Sequence, residues 1–195
     1  MQKLIIASGN AGKLREIQHL LQPLGIEAVP QSNFAVSEAE EPYVTFIENA
    51  LAKARHASRL TALPALADDS GICVDALNGA PGVFSARYAG EPKSNRRNNE
   101  KLLEALQSHE NRHAHYYCVM VLVRHADDPQ PLVAEGSWHG RILTAPRGDG
   151  GFGYDPVFLD PESGRSAAEL DPALKHRISH RGRALARLRE VLQGR

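Results

Sequence analysis

Two adjacent acidic residues follow a short apolar segment in the first half of the chain. Asp68 and Asp69 come directly after residues 65–67 (ALA) and directly before Ser70 and Gly71. Magnesium in proteins is typically held by one or two carboxylates together with substrate phosphate oxygens, so this pair suits a metal-bridged phosphate. A solvated turn is the competing interpretation, because Asp, Ser and Gly are typical turn residues.

Two further charged residues would complete such a site. Glu41 lies in an acidic loop over residues 36–42, and Lys53 lies in the predicted helix that follows. They add a third carboxylate and an ammonium group for a charged phosphate, provided that the fold brings them to the aspartate pair. Glu48 and Lys53 are not spaced as a helical ion pair, and a solvated helix face is the competing interpretation.

Residues 8–13 (SGNAGK) place two glycines and a lysine between a predicted strand and a predicted helix. Backbone N–H groups and the helix N-terminus can face a phosphate there, while Lys13 neutralises its charge. The segment is not the common P-loop, which has four residues between its glycines and Ser or Thr after its lysine; here Leu14 follows. An ordinary strand-to-helix turn is the alternative interpretation.

Residues 148–153 (GDGGFG) match the dinucleotide-binding fingerprint letter by letter. The next residues are Tyr154, Asp155 and Pro156 and no helix begins, so we exclude a Rossmann site. A flexible backbone there lets Phe152 and Tyr154 approach a flat ligand, and aromatic stacking holds a purine without selecting among purines. A purely structural glycine loop is the competing interpretation.

Hydrogen-bond donors are concentrated just before the last predicted helix. Residues 175–177 (KHR) and 179–182 (SHRG) supply Lys175, His180 and Arg181. These side chains suit carbonyl or phosphate oxygens as partners. A solvated basic face is the competing interpretation.

The spacing of apolar residues predicts the elements that position these groups. Helices are predicted from residue 14 to Gly25, over residues 44–60 and 95–107, and near 185–192. Strands are predicted over residues 4–7, 26–29, 65–67, 72–76, 116–123, 132–143 and 157–159. The acidic pair then lies at a turn between two short strands. Interleaved helices and strands, with a hairpin at residues 127–129, favour an α/β fold with a mixed sheet.

The composition, 42% apolar and 24% charged, is typical of a globular protein. We predict one functional domain over residues 1–195, with two lobes on a shared sheet as the alternative. A formal net charge of zero argues against nucleic-acid and membrane partners. Cys73 and Cys118 are interpreted as buried thiols, which fits a reducing cytoplasm. Residues 1–7 show no secretory leader, and no apolar run approaches the length of a membrane span.

Five segments, taken together and in this order, closely resemble the inosine triphosphate pyrophosphatase family: 8–13 (SGNAGK), 46–50 (FIENA), 67–71 (ADDSG), 151–156 (GFGYDP) and 179–182 (SHRG). The resemblance spans nearly the whole chain. It implies an elongated α/β fold whose mixed sheet links two lobes, a nucleotide cleft between them, and a homodimer. It also implies magnesium-dependent cleavage of ITP, dITP and XTP to the monophosphate and pyrophosphate, which keeps deaminated purines out of DNA and RNA.

The resemblance also implies roles for residues at matching positions. Asp69 would act as general base and magnesium ligand, with Glu41 and Asp68 as further metal-site candidates. Lys13 and Lys53 would support the phosphate chemistry. The first loop would hold the triphosphate through Ser8, Gly9, Asn10, Ala11, Gly12 and Lys13. The remaining substrate contacts would come from Ser70, Phe152, Gly153, Tyr154, Asp155, Lys175, His180 and Arg181.

The mechanism we expect is in-line attack at phosphorus by a water that Asp69 activates, while Lys13 and Lys53 offset charge. Purine selection would rest on the carbonyl at the six position, and rejection of guanine would need a further contact near the two position. Two alternatives stay open at this point. One is a nucleotide sensor without turnover, and the other is a related pyrophosphatase acting on modified pyrimidine or methylated nucleotides.

Overall fold

The computed structural model describes residues 2–194, so Met1 and Arg195, the two ends of the predicted domain, lie outside the described residues. The strands, β1 to β7 in chain order, are Gln2–Ile6, Ile26–Pro30, Ala65–Val74, His113–Val123, Leu132–Ile142, Phe158–Asp160 and Arg165–Ser166. The α-helices, α1 to α5, are Ala11–Leu21, Phe46–Thr61, Asn95–Ala105, Pro172–Ile178 and His180–Gln193.

The strands form a seven-stranded sheet in the order β2-β1-β3-β4-β5-β6-β7. β1 is parallel to both β2 and β3, whereas β6 is antiparallel to both β5 and β7. Parallel neighbours need a crossover, and helices α1 and α2 lie in the crossovers that join β1, β2 and β3. The predicted α/β class with a mixed sheet is therefore confirmed.

The structure differs from the sequence prediction around the acidic pair. Residues 65–67 and 72–76 are not two short strands, because β3 runs unbroken through Asp68, Asp69, Ser70 and Gly71. The prediction of a turn there is wrong. Turn propensity is a local preference, and here it is overridden by the place of β3 between β1 and β4 in the sheet and by two ion pairs that hold the aspartates.

Two short elements and one boundary near the C-terminus also differ. Helix α4 and strand β7 are not among the predicted elements, because each is too short to show a clear apolar period. Helix α5 begins at His180, so residues 180–182 form its first turn instead of preceding it.

The chain divides into two compact units. Unit 1 comprises residues 1–69, 118–136 and 184–195, and unit 2 comprises residues 70–117 and 137–183. The core of unit 1 is built from side chains of β1, α1, β3, β4, β5 and α5: Leu4, Ile6, Ile17, Leu21, Leu66, Cys118, Met120, Leu122, Leu132, Ala134, Ala184, Leu185 and Leu188. This core holds the strand ends and helices that carry the first loop and the acidic pair.

Unit 2 has its own core, which is rich in aromatic rings. It consists of Ile72, Val74, Leu102, Leu106, Ala114, Tyr116, Trp138, Ile142, Tyr154, Val157, Phe158, Ala167 and Leu170. The Trp138 and Phe158 rings pack edge to face with centroids 4.9 Å apart, a favoured aromatic geometry. The indole N–H of Trp138 donates to Asp160 at 3.0 Å, so the enclosed donor is satisfied.

Both cysteines are free thiols, Cys118 being buried and Cys73 partly exposed. The prediction of a buried thiol is thus confirmed for Cys118, whereas Cys73 is only partly covered. Within residues 2–194 no helix combines the length and the apolar character needed to cross a bilayer.

Residues 124–131 connect β4 to β5 as the predicted hairpin, and Asp128 closes this turn. Its carboxylate is fully enclosed and accepts hydrogen bonds from the Arg124 backbone N–H and guanidinium and from the Gln130 N–H. The Arg124 guanidinium, the largest influence, holds the pKa of Asp128 well below its usual value. The ionised carboxylate is therefore bound tightly in the folded state.

We expect Asp128→Asn to lower the free energy of unfolding by about 1.5–3 kcal/mol at pH 7, because hydrogen bonds to an ionised group are lost. The pKa of this carboxylate is lower in the folded chain than its ordinary value of 3.8. Its contribution to the free energy of unfolding is therefore fully present above pH 3.8 and is lost as the pH falls through the pKa of the folded chain. In chemical denaturation, the difference in free energy of unfolding between Asp128→Asn and the wild type should be smaller at pH 3 than at pH 7. Asp127→Asn is the matched control, since that side chain is 90% exposed. Equal stability of the two variants would contradict this role.

Candidate active site

The loop between β1 and α1 caps its own helix. The Asn10 side chain accepts from the backbone N–H groups of Gly12 and Lys13 at 2.9 and 3.2 Å, and the Ser8 hydroxyl accepts from the Asn10 N–H. A Cβ at Gly12 would lie 3.1 Å from the Asn10 Oδ1, so glycine leaves room for this cap. Ser8, Gly9 and Asn10 are at least partly exposed ahead of the helix N-terminus, as an anion site requires. Ala11 is the first residue of α1.

Strand β3 presents the two aspartates to two different helices. Successive side chains of a strand point to opposite faces, so adjacent carboxylates have separate surroundings. The Lys13 Nζ of α1 lies 2.6 Å from the Asp68 Oδ2, and the Lys53 Nζ of α2 lies 3.2 Å from the Asp69 Oδ1. The convergence of both lysines on the acidic pair, which the sequence analysis only assumes, is present in unit 1.

Lys53 also contacts Glu41, whose Oε1 lies 2.8 Å from its Nζ. Lys53 is therefore shared by a loop carboxylate and a strand carboxylate. Glu48 has a different role at the start of α2, where its backbone N–H donates to the Thr45 hydroxyl and its carboxylate accepts from that hydroxyl. The sequence interpretation that Glu48 and Lys53 are not partners agrees with these contacts.

The surroundings of Asp69 and Lys53 shift both pKa values upwards. Burial raises the pKa of Asp69 above 3.8, and the nearby Glu41 and Asp68 carboxylates add to this, although the Lys53 ammonium opposes it. Burial by itself would lower the pKa of Lys53, but the three carboxylates, Asp69 foremost, raise it above 10.5. Lys53 therefore stays charged, and Asp69 is a stronger base than an exposed aspartate.

One oxygen of Asp69 lacks a partner. Within the described residues, its Oδ2 is enclosed and accepts no hydrogen bond. A buried carboxylate oxygen without a donor is costly, and such an atom commonly marks a site that a ligand completes. In residues 2–194 no group of three or more His, Cys, Asp or Glu side chains is arranged to hold a metal by itself. A cation bound at Asp69 would thus take ligands from elsewhere, as magnesium does from substrate phosphates.

In unit 2 the loop over residues 151–155 is organised by Asp155, which is 3% exposed. Its Oδ2 accepts from the Phe152 N–H at 2.6 Å and from the Lys175 Nζ at 2.5 Å. Gly151 has a φ of +74°, and a Cβ there would lie 2.2 Å from the same oxygen, so a larger residue would displace the carboxylate. Asp155 therefore connects the glycine loop to α4.

The two aromatic residues of this loop have different surroundings. Phe152 is 58% exposed, and the Lys175 ammonium lies 4.9 Å from its ring centroid. Tyr154 is buried, and its hydroxyl donates to the Ser85 carbonyl at 2.8 Å. The Phe152 ring is thus open to stacking, whereas the Tyr154 ring is buried in the core of unit 2. Gly153 is fixed through its carbonyl, which accepts from Asn99.

The first turn of α5 carries His180 and Arg181. The Arg181 Nη2 lies 3.3 Å from the Ser70 hydroxyl on β3, which joins two predicted substrate contacts within unit 2. A Cβ at Gly182 would lie 1.8 Å from the His176 carbonyl, so glycine permits α4 and α5 to approach this closely. The predicted donors Lys175, His180 and Arg181 therefore come from two tightly packed helices.

Sequence reasoning missed two residues that support these groups. Asn99 of α3 holds the Gly153 carbonyl, and Tyr116 of β4 contacts both Asp155 and His180. Tyr116 belongs to an uninterrupted β-rich run, where it is indistinguishable from a core residue. No local signal marks either residue, because both act through partners far away in the chain.

This chain is similar to known proteins over nearly its whole length. A model of the Ham1 family matches residues 4–191. Relatives from Nitrosomonas europaea and Ralstonia nicotianae, both called dITP/XTP pyrophosphatase, are 65% and 61% identical to this chain. Those matches cover 98% and 99% of this chain and 95% and 98% of the relatives.

Solved structures share the fold over the same length. A HAM1 protein from Coxiella burnetii superposes with a TM-score of 0.98 at 50% identity and full coverage of both chains. A protein from Mycobacterium abscessus, described as nucleoside-triphosphatase / dITP/XTP pyrophosphatase, has a TM-score of 0.79 at 40% identity and covers 99% of this chain and 97% of its own. By family model, sequence identity and fold, this chain belongs to the Ham1 family, and the resemblance predicted from its five segments is confirmed.

Proposed function

We propose that this protein hydrolyses deaminated purine nucleoside triphosphates, ITP, dITP and XTP, to the nucleoside monophosphate and pyrophosphate, with magnesium as cofactor. The observation that carries the proposal is the charge cluster of unit 1. Asp68 and Asp69 meet Lys13 and Lys53 there, beside a capped helix N-terminus preceded by an exposed glycine loop. The names of the relatives support the same activity.

The triphosphate would bind at the first loop. Its donors are the exposed Gly9 backbone N–H, the Ser8 hydroxyl and the Lys13 ammonium, at the positive end of the α1 dipole. The Asn10 N–H, which donates to the Ser8 hydroxyl, would take a phosphate oxygen as its partner instead. The Lys13 ammonium lies between the buried Asp68 carboxylate and solvent, with 20% of its side chain exposed. It is therefore fixed in position before substrate arrives, and this lowers the cost of ordering it.

Asp69 and Glu41 would hold the metal, since the Asp69 Oδ2 is enclosed without a donor and both residues share Lys53. When bound, magnesium would neutralise phosphate charge and polarise the phosphorus under attack. Asp69 accepts the proton of the attacking water as the general base. Lys53 stays charged and offsets the negative charge that develops as pyrophosphate leaves.

The purine would be recognised in unit 2. The exposed Phe152 ring offers a stacking surface, and Lys175, His180 and Arg181 offer donors for the carbonyl at the six position. Adenine has an amino donor there, which would leave these donors unpaired at a cost of about 1–3 kcal/mol each. Guanine shares the carbonyl, so its rejection needs another contact near the two position.

We infer a cytoplasmic enzyme that cleanses the nucleotide pool. Two free cysteines are consistent with a reducing compartment, and zero net charge fits a small-molecule substrate better than nucleic acid or a membrane. We also infer a homodimer. Exposed apolar side chains at the start of α2, Tyr43, Val44 and Ile47, offer a surface that a second copy would cover.

The deciding experiment is product analysis with ITP, XTP, GTP and ATP, each with magnesium and then with a chelator. We expect magnesium-dependent release of pyrophosphate, chiefly from ITP and XTP. Release of orthophosphate would indicate a phosphatase, and binding without turnover would indicate a nucleotide sensor. A preference for modified pyrimidine or methylated nucleotides in a wider panel would reassign the substrate class.

A further inference from the structure

Tyr116 occupies a fixed place in the core of unit 2. It lies on β4, is 7% exposed, and packs against the Phe158 ring with centroids 4.7 Å apart. Its own ring stacks on His180, with centroids 4.7 Å apart and planes within 10° of each other. Tyr116 therefore presents a flat, buried surface to the imidazole at the start of α5.

The hydroxyl of Tyr116 makes a second connection. It donates to the Asp155 Oδ1 at 3.4 Å, while the other oxygen of that carboxylate binds the Lys175 ammonium and the Phe152 N–H. Burial, followed by the Asp155 carboxylate, raises the pKa of Tyr116 well above 10, so the hydroxyl stays protonated and remains a donor. One enclosed side chain thus contacts His180 by its ring and Asp155 by its hydroxyl.

We propose that Tyr116 is a positioning residue for purine selection, an inference that rests on the proposed function: its ring sets the plane of His180, and its hydroxyl orients the carboxylate that holds Lys175. The second side-chain torsion of histidine is broad, and stacking on the Tyr116 ring restricts the orientation of the imidazole. Hydrogen bonds weaken steeply when the donor angle falls away from linearity. A rotated imidazole or a displaced ammonium would therefore discriminate poorly between a carbonyl and an amino group.

The test compares Tyr116→Leu and Tyr116→Phe with the wild type, using kcat and KM for ITP and ATP. Leucine removes both the flat surface and the hydroxyl, and we expect the ITP to ATP ratio of kcat/KM to fall about tenfold or more, through a higher KM for ITP. Phenylalanine keeps the stack and loses only the hydroxyl, and we expect KM for ITP to rise about threefold. The kcat for ITP should change little, because His180 and Asp155, which Tyr116 contacts, are assigned to purine binding and not to the phosphate chemistry.

Trp138→Leu is the matched control for loosened packing. Trp138 is 1% exposed and lies in the same aromatic cluster, 6.1 Å from the Tyr116 ring, but its indole N–H donates to Asp160 instead of Asp155. The Trp138→Leu variant should lower thermal stability at least as much as Tyr116→Leu does, while the ITP to ATP ratio of kcat/KM stays unchanged. All variants are assayed at a temperature where circular dichroism shows them folded.

Each outcome decides the proposal. If Tyr116→Leu keeps the wild-type ITP to ATP ratio of kcat/KM, the inference is overturned and the proposed function is unaffected. If Trp138→Leu lowers this ratio as much as Tyr116→Leu does, the inference is also overturned, because the effect is then one of loosened packing. A wild-type enzyme without preference for ITP overturns the proposed function and this inference together. If Tyr116→Leu does not fold, Tyr116→Phe decides, because an unchanged KM for ITP contradicts the role of the hydroxyl.

Discussion

Replacing Asp69 with asparagine is expected to lower kcat for ITP by about 10²–10⁴-fold, the usual contribution of a general base. The amide cannot accept the proton of the attacking water, and it carries no charge for a metal. The amide oxygen can still accept from Lys53, which also keeps Glu41 as a partner, so the fold should be preserved. Because the lost interaction belongs to the transition state, kcat and kcat/KM should fall together.

Asp75→Asn is the matched control for this variant. Asp75 is exposed in the turn directly after β3, so the same chemical change is made close by without touching the acidic pair. Steady-state kinetics across a magnesium titration, with circular dichroism of each variant, measure the effect. Turnover of Asp69→Asn within a few-fold of Asp75→Asn would rule out Asp69 as the base.

Replacing Lys13 with methionine should reduce both activity and stability. Removing one cationic group that stabilises a transferring phosphoryl group costs about 10²–10³-fold in kcat. The Asp68 carboxylate, 2% exposed, also loses the ammonium 2.6 Å away. Breaking a fully buried ion pair costs about 3–5 kcal/mol, and the partial exposure of Lys13 places this loss at or below that range.

A double variant separates the two effects. Lys13→Met with Asp68→Asn removes both charges, so the stability should largely return while the activity stays low. Lys3→Met, a change at an exposed lysine of β1, controls for the general loss of positive charge. Denaturation curves and ITP kinetics of the wild type, Lys13→Met, the double variant and Lys3→Met measure the stability effect and the activity effect separately. Normal kcat/KM in a destabilised Lys13→Met would make Lys13 a structural residue without a part in phosphate binding.

The fold was predictable from the sequence where elements are long and strongly patterned. Helix α2 is one example, because apolar residues recur along one face at helical spacing, and the prediction over residues 44–60 is close to the observed Phe46–Thr61. The glycine loop before α1 is another, since a strand, two glycines and a lysine leave few alternatives. Short elements such as α4 and β7 gave no such pattern, and their boundaries depend on contacts with distant residues.

The candidate site was predictable as a set of residue types and only partly as an arrangement. The ordered motifs indicated Lys13, Asp69 and His180, because ammonium, carboxylate and imidazole groups are those that phosphate and purine chemistry requires. Lys53 lies outside these motifs and was proposed as a charged residue of the helix that follows the acidic loop. The motifs did not show that Tyr154 is buried or that Asp155 is enclosed beneath the loop. Side-chain exposure depends on what packs above a residue, and that is not a local property.

The sequence by itself determined the α/β class, the family and the chemistry that the acidic and basic segments can perform, because these depend on residue type, order and local periodicity. The tertiary structure decided which charges meet. Lys13 reaches Asp68 across 55 positions, and Tyr116 reaches Asp155 across 39. It also decided that the Asp68–Gly71 segment continues a strand instead of turning, because β3 lies between β1 and β4 in the sheet and two lysines hold its aspartates. Partners so distant in the chain are set by the packing of whole elements, on which a local pattern carries no information.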